Sequence, residues 1–291
     1  MIGENFKYDN YMLSDFGCIL AAPEEEQSFV ARSVISTDQS SKRPEKQFFG
    51  TSYDDILVLN FFIMKNPCVL NQEDMYFSQD ELRKVRRWLE SPKTAKELIV
   101  DSPNQGEEQI YYYGIFSEVQ PYIIGPYCGG LNLTFQCNAP HGYSAPIKKT
   151  FEFKDETSLN VSVYSSNDDK YSFIYPVWKI HLNNPSGTLT IVNHSDAESS
   201  LKITLPNYEY IIIDSKHKQV LNPEGKSIRL SDLGFNAEDL FDYVMAFTGS
   251  VPIYWPRLGY GNNSYSFFTS VSGTVTKIEA EMQFIRKVDG F

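Results

Sequence analysis

The sequence predicts a mainly β fold in two parts, with one or two helices. Three observations carry that reading. The chain of 291 residues holds 20 Phe and 19 Tyr, side chains that suit pleated, half-buried surfaces. Residues 131–137 alternate strictly, with Leu131, Leu133, Phe135 and Cys137 on one side and Asn132, Thr134 and Gln136 on the other. That is the period of a strand with one wet face. The second half is a run of short apolar segments separated by turn signals, the pattern of a β-sandwich.

Taken in order, residues 6–21 read as one or two strands around a Ser14-Asp15 turn. Residues 22–52 are polar, with Glu24-Glu25-Glu26 and the tract 40–46, and read as long loops around a short strand near 29–35. The apolar run 56–64 reads as a strand buried on both faces. A helix follows. Ser78 stands three residues before Glu81 as a capping box, and Leu82, Val85 and Leu89 share one face with Trp88 beside them. Ser91-Pro92 ends it. Its other face carries Arg83, Lys84, Arg86 and Arg87, read as a solvated stripe. Residues 109–119 form the next strand, and the alternation of 131–137 breaks at Asn138-Ala139-Pro140-His141-Gly142. The domains are therefore set at 1–145 and 146–291.

In the second domain strands are expected at 159–165, 173–181, 187–193, 201–205, 208–214 and 263–270. Asn184-Pro185-Ser186-Gly187 and Asn222-Pro223-Glu224-Gly225 are turns, because Pro fixes φ and Gly takes positive φ. Asn236 caps an expected helix over 237–247. A last strand over 276–286 either completes the second domain or returns to the first.

Charge narrows the function. The 26 basic and 37 acidic residues leave −11, shared as −6 over residues 1–150 and −5 over the rest. Wrapping nucleic acid needs concentrated Lys and Arg, so sequence-specific nucleic-acid binding is not expected. The longest apolar stretch, 56–64, is interrupted by Asn60 and is about half a membrane span, so no membrane insertion is expected. The N-terminus lacks the apolar centre of a secretion signal. Cys18, Cys68, Cys128 and Cys137 form no CxxC and read as reduced thiols packed inside. The chain reads as one that folds in a cytoplasm.

No catalytic signature emerges. There is no G-x-S-x-G elbow and no H-E-x-x-H. His141, His181, His194 and His217 are scattered, and His194 with Asp196 and Glu198 reads as a solvated hairpin loop rather than a metal cluster. Gly225-Lys226-Ser227 ends like a P-loop, but Val220 stands where its first glycine belongs. Gly259 and Gly261 begin a dinucleotide fingerprint that Ser264 interrupts. Asp54-Asp55 are adjacent and point to opposite sides of a strand. No catalytic residue, cofactor or metal is expected. Tyr254 and Trp255, in a Pro-flanked loop, are the one candidate contact, able to stack on a sugar ring or to pack inside.

Several segments in order resemble the distal tail proteins of long-tailed siphophages. The opening run 6–20 is similar to that family's first strands. Arg32, Gly50 and the succession Tyr53-Asp54-Asp55-Ile56-Leu57-Val58-Leu59 follow, then Phe77-Ser78 with a helix ending in Trp88-Leu89. Tyr111-Tyr112-Tyr113-Gly114 matches the next strand. Gly130-Leu131 through Thr134-Phe135-Gln136-Cys137-Asn138-Ala139-Pro140, with Tyr143-Ser144, resembles the close of the family's first domain. Tyr175-Pro176, Gly187 to Asn193, Tyr210 to Asp214, Trp255-Pro256-Arg257-Leu258 and Gly261-Asn262-Asn263 continue the order. The stretch 231–250 is longer and more helical than the family's loop, and 40–46 is unusually polar.

The resemblance implies an N-terminal β-sandwich or roll with a helix, over 1–145, and a C-terminal jelly-roll, carbohydrate-module-like sandwich over 146–291. It implies a structural virion protein at the tail tip, assembled in the bacterial host cytoplasm. Its expected partners are itself in a homohexameric ring, the tail tube protein, and a tail-associated lysin or receptor-binding protein. It also implies a central channel for DNA. The alternative expectation is a carbohydrate-binding module that contributes to host adhesion through Tyr254 and Trp255.

Overall fold

The computed structural model describes residues 5–21, 33–38, 47–53, 56–68, 75–101, 106, 108–153, 156–235 and 253–287, with the backbone alone for 33–38 and 47–53. The expected helix 237–247 and the tracts 24–26 and 40–46 lie outside them. Strands dominate, and the described residues include one α-helix. The chain divides into two compact units, Met1–Ala145 with Arg286–Phe291, and Pro146–Ile285.

In the first unit, β1 (Phe6–Tyr8), β2 (Tyr11–Met12) and β3 (Cys18–Ala21) surround a 3-10 turn over Leu13–Phe16. The αL conformation at Gly17, φ 67°, ends that turn. β4 (Ser33–Asp38) and β5 (Gln47–Tyr53) pair as a separate hairpin. β5 falls where the sequence reading placed loop, since Gly50, Thr51 and Ser52 dilute its aromatic signal. β6 (Val58–Lys65), β7 (Lys96–Val100), β8 (Tyr111–Ile124) and β9 (Tyr127–Cys137) follow. All pair antiparallel in the order β2-β1-β7-β8-β9-β6-β3. β6 is not buried on both faces, as its apolar run suggested. Leu59, Phe61 and Ile63 are buried while Asn60 is exposed and Phe62 and Met64 are half-buried. The short β10 (Gly142–Tyr143) joins β8.

The helix α1 (Gln79–Glu90) forms where the capping box predicts it. The Glu81 amide donates to Ser78 Oγ at 3.3 Å and the Ser78 amide to Glu81 Oε2 at 2.8 Å. Val85, Trp88 and Leu89 face inward. Trp88 lies 5.6 Å from Phe6, ring to ring, and its indole N–H donates to the Tyr8 carbonyl at 2.9 Å. Phe116 packs edge-on to Tyr8 at 4.9 Å and against Phe135 at 5.0 Å. Removing these rings from water stabilises this unit. Cys18, Cys128 and Cys137 are buried. Burial pushes the Cys18 and Cys137 thiols up to about 12, so both stay protonated and unreactive at neutral pH. Cys68 departs from the expectation of interior thiols. It is exposed in the turn after β6, where its amide donates to Asn66 Oδ1 at 2.9 Å.

The second unit places β11 (Ile147–Glu152), β12 (Ser158–Ser165), β13 (Val177–Leu182), β14 (Thr188–Asn193) and β15 (Ser199–Thr204) in sequence. β16 (Tyr210–Asp214), β17 (Gln219–Leu221), β18 (Gly261–Thr269) and β19 (Val275–Met282) complete it. One sheet runs β11-β19-β13-β16-β17 and the other β12-β18-β14-β15. Trp178 on β13 meets Tyr265 and Phe267 on β18 at 5.2 and 5.4 Å, so the two sheets face each other across a shared core. Gly225, at φ 76°, closes the turn by donating its amide to the Asn222 carbonyl at 2.9 Å. The expected strand 276–286 is two pieces. β19 pairs with β11 and β13, and the chain continues to β20 (Ile285–Arg286). Arg286 is counted with the first unit, where its guanidinium pairs with Glu108 at 2.7 Å.

Candidate functional sites

β14 ends in Asn193, whose side chain is fully buried. A buried amide must be hydrogen-bonded to be tolerated. Its Nδ2 lies 2.8 Å from the Arg257 carbonyl, 2.9 Å from Tyr254 Oη and 3.2 Å from Tyr265 Oη. Its Oδ1 accepts the Ser195 amide at 3.0 Å. Arg257 in turn grips Asp196 through two bonds, 2.7 and 3.1 Å, and stands 3.8 Å from the Phe173 ring centre. Those bonds from Arg257 hold the Asp196 carboxyl below its usual range. Burial pushes the Tyr254 hydroxyl up to about 12, so it stays neutral. The network fastens the segment 253–258 to the turn after β14 and to β18.

Tyr254 and Trp255 differ in exposure. Trp255 is 4% exposed, and its indole nitrogen finds no hydrogen-bond partner among the described residues. Tyr254 is half-buried, and both it and Trp255 line a cavity of about 750 Å³ with Tyr175, Lys202 and Arg257.

His194, Asp196 and Glu198 do not converge. His194 Nδ1 lies 2.6 Å from Glu198 and its Nε2 2.6 Å from Ser266 Oγ, while Asp196 belongs to Arg257. No cluster of His, Cys, Asp and Glu among the described residues fits a metal ion. The Glu198–His194–Ser266 chain has the order of a hydrolase relay. Its serine, however, is 4% exposed and also bonds Asn160. Sequence spacing could not reveal this contact across 72 positions. The available signal was sheet register, which sets Ser266 opposite both Asn160 and Val192.

The first unit offers a different surface. Beyond the core, the β8–β9 hairpin carries Tyr122, Ile123, Ile124 and Tyr127, exposed by 48, 57, 48 and 55%. Tyr76 stacks on Tyr127 at 4.7 Å. Large apolar side chains grouped and exposed in this way mark association surfaces.

Comparison with known proteins agrees with the two-part construction. Residues 1–139 match the family model described as phage tail protein N-terminal domain, and residues 141–239 match that described as phage tail C-terminal domain. No curated protein sequence matches. Among solved structures, the Dit protein (gp 19.1) of phage SPP1, described as a paradigm of hub adsorption apparatus in phages infecting Gram-positive hosts, is 13% identical. The match covers 96% of this chain and 98% of that one, with a TM-score of 0.62. A chain of the phage P2 baseplate in its activated conformation with Ca is 10% identical over 99% of both chains, with a TM-score of 0.53. The same baseplate with Sr gives the same values. The models matched here describe structural tail parts and no enzyme. Matched in succession by N- and C-terminal phage tail domains over most of its length, and sharing the fold of hub and baseplate proteins, this chain belongs to the phage tail protein family.

Proposed function

We propose that the protein is the distal tail hub of a siphophage virion, with a first domain over 1–145 that closes a ring of six and a second, separate domain over 146–291. The ring joins the tail tube to a tail-associated lysin or receptor-binding protein and leaves a channel for DNA. The observation that carries this reading is the end-to-end fold match to SPP1 Dit, over 96% of one chain and 98% of the other. Two physical features support it. The exposed apolar tip of the β8–β9 hairpin is costly unless a neighbour covers it. The short edge strands β2 and β3 leave backbone groups that a closed ring can satisfy. An acidic chain, at −11 per copy, also suits a conduit that DNA must leave without sticking. The strand order β11-β19-β13-β16-β17 against β12-β18-β14-β15 supports a jelly-roll reading of the second domain.

The test is the mass of the purified protein in solution with negative-stain imaging. Rings of six with a central hole are the expected result. A strictly single chain at high concentration removes the hub reading. Saccharide contact near Tyr254 and Trp255 is the second reading, favoured only by the cavity that both residues line. A glycan screen that retains no saccharide removes it.

A further inference from the structure

The basic stripe of α1 is not uniform. Arg83 stands 3.7 Å from Asp80, and Arg86 donates to the Val119 carbonyl at 3.2 Å. Lys84 and Arg87, one turn apart, instead border a groove of about 620 Å³. Lys93, in the loop between α1 and β7, adds a third cation to its rim. Among the described residues none of these three has an ion-pair partner. Among the described residues the one acid in the lining, Asp9, is held by Lys96 at 2.9 Å. The wall is aromatic. Phe16 stacks on Trp88 at 4.4 Å and 10°, and Tyr11 beside them is 55% exposed.

A solvated basic stripe needs no such hollow. Three unpaired cations around an aromatic cleft, on a chain of net −11, form a local excess of positive charge with an apolar floor. We propose that this groove docks an acidic segment of a protein partner, carboxylates meeting Lys84, Arg87 and Lys93 while an apolar side chain between them packs on Tyr11 and Phe16. Charge complementarity selects the partner's sign, and ionic bonds to carboxylate are the strong kind. The volume is that of a site for a few residues. A nucleic-acid strand fits less well, because the rest of the acidic chain repels an extended polyanion. The inference goes beyond the hub reading and does not depend on the number of copies in a ring.

The test uses the full-length protein and fluorescence anisotropy. The probe is a fluorescein-labelled peptide of alternating Glu and Phe, compared with the same peptide carrying Lys for Glu and with a labelled single-stranded DNA oligonucleotide. The acidic peptide alone should bind, more weakly as salt rises. The double variant Lys84→Glu/Arg87→Glu should weaken it by about tenfold or more, while Arg83→Gln, outside the groove, leaves it unchanged. Circular dichroism and solution mass should match the wild type in both variants. Absence of peptide binding, or binding indifferent to the double substitution, overturns the proposal. So does tighter capture of the oligonucleotide. Loss of the wild-type mass in the double variant also overturns it, since the occupant is then a second copy of this chain.

Discussion

Replacing Trp178 by Ala tests whether the two units stand as separate cores. The indole is fully buried and lies 5.2 Å from Tyr265 and 5.4 Å from Phe267, at the centre of the second unit's sandwich. Truncating a buried Trp removes its transfer energy and leaves a cavity, together about 3–5 kcal/mol. Its Nε1 has no hydrogen-bond partner among the described residues, so no bond is lost and the lower end applies, about 3–4 kcal/mol. For a unit spanning Pro146–Ile285 this lowers its melting point by roughly 8–15 °C. Differential scanning calorimetry of the whole chain is the assay. One transition should fall by that amount while the other, from the core around Trp88 and Phe116, stays in place. A single transition that moves as a whole would show that the units unfold together and would refute the reasoning.

Two other substitutions probe each unit. In Gly114→Ala the new Cβ would sit 2.1 Å from the Gln136 carbonyl oxygen and 2.9 Å from Cys137 Cα, both backbone atoms of the paired strand. The strands must part, at a cost of about 1–3 kcal/mol or more, read by chemical denaturation. A Gly114→Ala protein as stable as the wild type would contradict the β8–β9 register. Asp196→Asn probes the second unit through pH. Because Arg257 lowers the folded carboxyl's pKa, its stabilisation is present above the unfolded value, about 3.9, and is lost as pH falls through the folded value. The wild type should therefore lose more stability on acidification than the variant, and the variant should be weaker at neutral pH. Equal pH profiles would sink the pairing.

The sequence disclosed what short-range physics encodes. Ser78 and Glu81 announce α1 because a capping box is complete within four residues. Strict alternation over 131–137 becomes β9 with Leu131, Leu133 and Phe135 buried, because side-chain direction in a strand has period two. β11 gave no such signal, as none of its residues is buried in its half-covered, half-exposed pattern. The 56–64 run misled, since Phe62 and Met64 are apolar yet only half-covered. At the candidate site the loop with Tyr254 and Trp255 was legible, but its role was not. Asn193, Arg257 and Asp196 meet through contacts more than sixty positions apart, and no local pattern records them.

The same long-range contacts explain which charges are available to partners. Arg257 is held by Asp196, Arg286 by Glu108, Lys65 by Glu81 and Arg86 by a backbone carbonyl of β8. Each closes a polar link between segments distant in sequence, and burial or bidentate geometry makes such links worth more than exposed pairs. Cations committed this way cannot also meet another molecule without loosening the fold. A count of Lys and Arg along the chain treats Arg83, Lys84, Arg86 and Arg87 as one stripe. Structure separates them by partner: Arg83 pairs within α1, Arg86 reaches β8, and the other two face an aromatic hollow. That separation distinguishes cations engaged within the chain from the two that the proposed docking reading assigns to an acidic partner.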